Sequence, residues 1–131
     1  MTTRNINTMD TIVGMLAEGK KLSKALKLVY TKRNVAIPYT EEMLDARILD
    51  LNMTTRTTNA LMRAHLKTIK DVVEFCSKEK ITKVKTLGNN SCIELFESIL
   101  DYCWSKMDDN RRADFLIDIV ERNILYLREE F

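Results

Sequence analysis

Arg56 and Asn59 stand three residues apart in the stretch TTRTTNALMRAHL, and Arg63 follows four residues after Asn59. At helical pitch the three fall on one side, away from Leu61 and Ala64. A guanidinium is a permanent cation with forked donors, and a carboxamide both donates and accepts, so such a face suits an anionic ligand. About two dozen residues on comes KVKTLGNNSCIELFE. Lys83 and Lys85 precede the turn and can add phosphate contacts. Gly88 is expected to take the positive φ of a sharp entry turn and to let another backbone approach closely. Ser91 as N-cap and Glu94 as third helical residue form the capping-box pattern S-x-x-E. Residues 87–91, Asn90 among them, then present backbone N–H groups and small polar side chains at a positive helix end, where a phosphate oxygen fits. Taken alone, a glycine before a capped helix is more often only that.

Other chemistry is poorly served. His65 is the only histidine and has no Ser or Cys partner at motif spacing. Glu41/Glu42 and Asp108/Asp109 read as a helix start and a loop, not as positioned acid and base. No P-loop, dinucleotide fingerprint or metal motif occurs. Cys76, Cys92 and Cys103 are odd in number and lie in apolar helical patterns, so buried thiols are expected. The expectation is a protein that is not an enzyme and needs no cofactor or metal.

The elements that must position these residues are helices. One Pro and three Gly in 131 residues leave little punctuation for a β protein. Met9, Ile12, Val13 and Leu16 form a first stripe, ended at Gly19. Ser23 is placed to cap the next helix, with Leu22, Leu26 and Val29 inside. Pro38 interrupts, and Thr40 is expected to cap a helix over EEMLDARIL. As a groove-reading helix this third one fails, because Glu41, Glu42 and Asp45 repel phosphates. Residues 1–47 therefore read as a packing or partner-binding extension. Thr54 or Thr55 caps the Arg56 helix, Thr68 and Asp71 make a capping box, and Ile81, Val84 and Leu87 suggest a short helical turn. Cys92, Phe96, Ile99 and Cys103 make the buried stripe of the next helix, with Tyr102 and Trp104 packing at its end. Residues 111–128 are expected to form one long helix with Ala113, Leu116, Ile117, Val120, Ile124 and Leu127 on a single face. Phe115, Ile119 and Tyr126 widen that face, so the helix either seals a homodimer or folds back over Leu16, Val29 and Ile48. The expected fold is all-α.

Charge adds a direction. The net charge of +2 is distributed as +5 over residues 1–37, −3 over 38–53, +5 over 54–91 and −5 over 92–131. A basic middle points to an anionic partner. No apolar run approaches the ~20 residues of a membrane span. The first residues lack a signal peptide's pattern, so the expected location is the cytoplasm.

From Leu51 to Leu100 the spacing resembles the C-terminal domain of the bacterial RNA polymerase alpha subunit. Arg56 and Asn59 match its first helix, TIKDVV matches the start of the next, and Leu87, Gly88, Ser91 and Glu94 match its turn and last helix. The resemblance covers about residues 48–104 and leaves 105–131 as a C-terminal amphipathic helix. It implies a compact helical domain with a helix-hairpin-helix-like element, carried by a stand-alone small protein. It further implies binding to the minor groove of A·T-rich DNA and docking with activators and sigma factor. By resemblance Arg56 enters the groove, where negative potential concentrates. Asn59 and Ser91 contact backbone or base edges, Gly88 meets phosphate, and Glu94 orients a neighbouring basic group. Asn90 replaces the family's usual Lys and Ala60 its small Cys. The alternative reading is an adaptor that mimics the domain and contacts sigma factor, an activator or RNA polymerase.

Overall fold

The computed structural model describes residues 2–32 and 34–129. They form seven α-helices, α1 (Thr3–Ala17), α2 (Leu22–Val29), α3 (Glu41–Leu44), α4 (Thr55–Arg63), α5 (Ile69–Cys76), α6 (Asn89–Lys106) and α7 (Asp109–Arg122). Short 3-10 turns lie at Ile48–Asp50, Ile81–Lys83 and Ile124–Tyr126. Among the described residues there is no strand, only two isolated bridges, so the fold is all-α as the sequence implies. The protein forms two compact units, one of Met1–Pro38 with Cys103–Phe131, the other of Tyr39–Tyr102.

In the first unit α1 packs on α2 and on α7. Gly19 ends α1 at φ +95°, with its N–H on the Leu16 carbonyl and that of Lys20 on Met15, a Schellman close. The inward face of α1 is Asn5, Thr8 and Ile12, while Val13 is half exposed, so the expected stripe is turned. Thr8 is tolerated inside because its hydroxyl donates to the Arg4 carbonyl. Helix α2 starts after Lys21 without a side-chain cap, and Ser23 is a buried interior residue, not the cap expected. Helix α7 stops at Arg122, so one helix over 111–128 is corrected. Its buried residues are Phe115, Leu116, Ile119 and Val120, whereas Ala113 and Ile124 are exposed and Ile117 is half buried. Turning Phe115 in and Ala113 out removes more apolar surface from water. Helix α1 covers α7 within one molecule, so burying these residues requires no second copy.

Asn123 ends α7 and is fully buried. Its side-chain amide donates to the Ala36 and Ile119 carbonyls and accepts from the Ala36 N–H at 2.8 Å. It thereby pins the extended segment around Ala36 to the end of α7. Trp104 holds Arg112 over its ring at 5.0 Å and lies 6.4 Å from Phe115.

The second unit contains α3 to α5 and α6 through Tyr102. Thr40 caps α3 as expected, but α3 is one turn long and Ile48–Asp50 forms a separate 3-10 turn. Thr68 and Asp71 make the expected capping box. The Lys67 N–H donates to the Asp71 carboxylate and, with help from Thr68, holds its pKa below the usual range. Ile48, Leu61, Ile69, Val72, Leu95 and Ile99 form the centre of the core. The three cysteines are free; Cys92 and Cys103 are buried but Cys76 is exposed, against the expectation for it. Burial pushes the Cys103 thiol up to about 11 and raises Cys92, which leaves little thiolate for nucleophilic work.

Candidate nucleic-acid interface

Helix α4 is built to present one face. Thr54 caps it, accepting from the Thr57 N–H, and Thr57, Ala60 and Leu61 turn inward, each at most 1% exposed. With that face anchored, Arg56, Asn59 and Arg63 are left on the outside, all exposed. The helix ends in a Schellman close, His65 N–H to the Met62 carbonyl and Leu66 N–H to Leu61. His65 occupies the left-handed position, φ +62°, that glycine more often fills.

The turn before α6 differs from the sequence expectation in three respects. Gly88 is not left-handed; the residue with positive φ is Thr86, at +69°. Helix α6 begins at Asn89, and the Gly88 carbonyl accepts the Cys92 N–H, so Ser91 lies inside the first turn and is not the N-cap. Glu94 turns away from the start of its own helix. Its carboxylate accepts from the Thr54 N–H at 2.6 Å and the Thr54 hydroxyl at 3.0 Å. It therefore ties α6 to the head of α4 instead of orienting a basic group. The reason is competition for donors: the Thr54 N–H precedes its helix and has no intrahelical acceptor, and a carboxylate there also meets the positive end of α4.

The two helix heads thus differ. That of α4 is occupied by Glu94. That of α6 has no acidic residue in its first turn, and Gly88, Asn89 and Asn90 are exposed there, with Ser91 half buried. Neither torsion nor packing requires glycine at 88, since a Cβ placed there meets nothing within 4 Å. Arg63 and Lys85 come together. With Ala60, Ala64, Val84 and Thr86 they line a shallow depression of about 210 Å³. The sequence reading missed Thr86 and the second role of Thr54, whose capping it expected. A strained threonine leaves no sequence signal, whereas Thr54 was recognisable as a cap but not as the anchor for Glu94.

Residues 37–101, about half the protein, match the family model for the C-terminal domain of the alpha subunit of bacterial RNA polymerase. No curated protein and no solved structure matches the sequence. The matched segment begins eleven residues before the motif-based resemblance at 48 and nearly coincides with the unit Tyr39–Tyr102. Among the described residues no helix is long and apolar enough to cross a membrane, and no group of His, Cys, Asp or Glu could hold a metal ion. The exposed Arg56 face and the acid-free head of α6 lie within the matched segment, which is helical throughout its regular structure, and residues 37–101 are accordingly a domain resembling the C-terminal domain of the bacterial RNA polymerase alpha subunit.

Proposed function

We propose that the unit of residues 39–102 binds double-stranded DNA as a transcription-associated module, with A·T-rich minor groove as its target. Arg56 enters the groove, Asn59 contacts backbone or base edges beside it, and Arg63 and Lys85 neutralise phosphates. The head of α6, with Gly88, Asn90 and Ser91, receives a phosphate oxygen. The observation that carries this reading is the pairing of an exposed Arg56–Asn59–Arg63 face with an acid-free helix N-terminus in one unit. Glu94 serves by position: it fastens the helix bearing Arg56 to the helix bearing the turn. Gly88 fits the same reading, because a residue whose Cβ nothing inside the molecule excludes leaves room for a phosphate to approach. Gel-shift or anisotropy titration on A·T-rich and G·C-rich duplexes at two salt concentrations is the test. Arg56→Ala should cost ~1–3 kcal/mol on the A·T-rich duplex and relax the preference. Equal binding by wild type and variant would remove Arg56 from the interface.

A second reading is an adaptor that contacts sigma factor, an activator or RNA polymerase without DNA. Leu49 favours it, being 56% exposed in the 3-10 turn that precedes α4. Capture of polymerase or sigma factor that survives Arg56→Ala and is lost in Leu49→Asp would select this reading.

A further inference from the structure

Helix α2 lies outside the segment that matches the family model, yet it carries the densest positive charge of the first unit. Leu22, Ser23, Ala25, Leu26 and Val29 face inward. At 100° per residue, Lys21, Lys24, Lys27 and Leu28 occupy the opposite arc of about 120°. All four are exposed, and exposed Lys20 and Lys32 extend the arc at either end. Lys32 stands over the Tyr126 ring at 4.6 Å, and the Arg128 guanidinium lies 3.5 Å from the Lys27 carbonyl, adding a sixth cation. The acids next to this run in the sequence are Glu18 on one side and, after Arg128, Glu129 and Glu130.

Helix stability accounts for Lys27, a cation in the last turn of α2, but not for the lysines at its head. The head of α2 holds Lys21 as its N-cap residue and Lys24 in its first turn, with no acidic residue in that turn and no side-chain cap. Cations at a helix N-terminus oppose the macrodipole and destabilise the helix. A solvated surface serves as well with Glu or Gln in those places. Cations placed where they weaken their own helix gain a favourable counterpart when a polyanion lies against them.

We propose that the outer face of α2 is a second, sequence-independent contact surface for duplex DNA, grasping phosphates through Lys21, Lys24 and Lys27. Lysine is a compact point charge without the planar fork that reads base edges, so this face adds affinity and not sequence preference. A lipid surface fits it less well. The apolar side of α2 is already buried within the unit, and the outer arc offers a membrane only Leu28. The inference rests on the proposed function only in taking duplex DNA as the polyanion.

The test is anisotropy titration of the full-length protein on A·T-rich and G·C-rich duplexes across a salt series. The proteins are wild type, the triple variant Lys21→Gln/Lys24→Gln/Lys27→Gln, the matching triple Arg variant, and Arg56→Ala. The Gln triple should bind both duplexes more weakly by the same factor. Its slope of log K against log[salt] should be shallower by ~2.7, at about 0.9 per phosphate released. The Arg triple should keep the wild-type slope. Thermal melting of the Gln triple at or above the wild-type midpoint separates loss of contact from loss of fold, since two of its changes relieve the helix head. An unchanged slope in the Gln triple, a loss confined to the A·T-rich duplex, or a wild type that binds no duplex overturns the proposal. So does unchanged duplex binding together with lysine-dependent binding to phosphatidylserine vesicles. A shallower slope in the Gln triple with no effect of Arg56→Ala leaves this surface standing and removes the Arg56 interface; the reverse pattern does the opposite.

Discussion

Glu94→Ala should loosen the junction between α4 and α6 by an amount that can be worked from its three contacts. One carboxylate oxygen accepts the Thr54 N–H at 2.6 Å and the Thr54 hydroxyl at 3.0 Å; the other lies 3.3 Å from the same hydroxyl. Hydrogen bonds to a charged group contribute ~1.5–3 kcal/mol when sheltered. Thr54 is exposed and Glu94 half buried, so water can replace the lost acceptor, and the expected cost falls to ~1–2 kcal/mol. That range includes the carboxylate's attraction to the positive head of α4. Glu94→Gln keeps an acceptor and loses the charge, and since charge-assisted bonds are roughly twice as strong as neutral ones it should cost about half as much. Urea unfolding is the assay. A loss of ~1.5 kcal/mol at an m-value of ~1.5 kcal/mol/M lowers the midpoint by ~1 M. A double-mutant cycle with Thr54→Val should show coupling through the hydroxyl, while the N–H contact persists in that variant and should show as hydrogen-exchange protection at the Thr54 amide. A wild-type midpoint for Glu94→Ala, or Glu94→Gln as costly as Glu94→Ala, would refute the charge-assisted clamp.

Gly88→Ala should leave stability unchanged or raise it by ~0.4–1 kcal/mol, because its φ is not left-handed and a Cβ has room, yet weaken DNA binding; melting and titration of the same sample check both halves. Ile119→Ala should cost ~2–5 kcal/mol and Ile117→Ala clearly less, since Ile119 is fully buried and Ile117 is not; urea midpoints compare them. Tyr30→Phe should be neutral or stabilising, because the buried Tyr30 hydroxyl has no hydrogen-bond partner among the described residues. Burial raises that phenol from 10.0 to about 12, so the unfolded state releases its proton first. Stability is then fully present below pH 10 and falls as pH rises toward 12, and Tyr30→Phe should remove that part of the alkaline loss.

Sequence by itself determined whatever depends on neighbours along the backbone. Scarce Gly and Pro with apolar residues at helical spacing meant helices, and the left-handed end at Gly19, the Thr40 cap and the Thr68–Asp71 box each need only a few consecutive residues. The outward face of α4 was legible for the same reason: once Leu61 is inside, Arg56, Asn59 and Arg63 are outside. Tertiary structure decided every question in which distant groups compete for one place. Residues 113–120 offered several apolar arcs, and packing on α1 favoured the one that buries Phe115 and Ile119. Val13 fits an apolar stripe, but Asn5 and Thr8 went inside in its stead. Glu94 had two acceptable positions, its own helix head or an unsatisfied N–H forty residues away at Thr54. The distant one prevailed because a carboxylate there satisfies two donors and meets a helix dipole at once, an advantage that no local spacing can show.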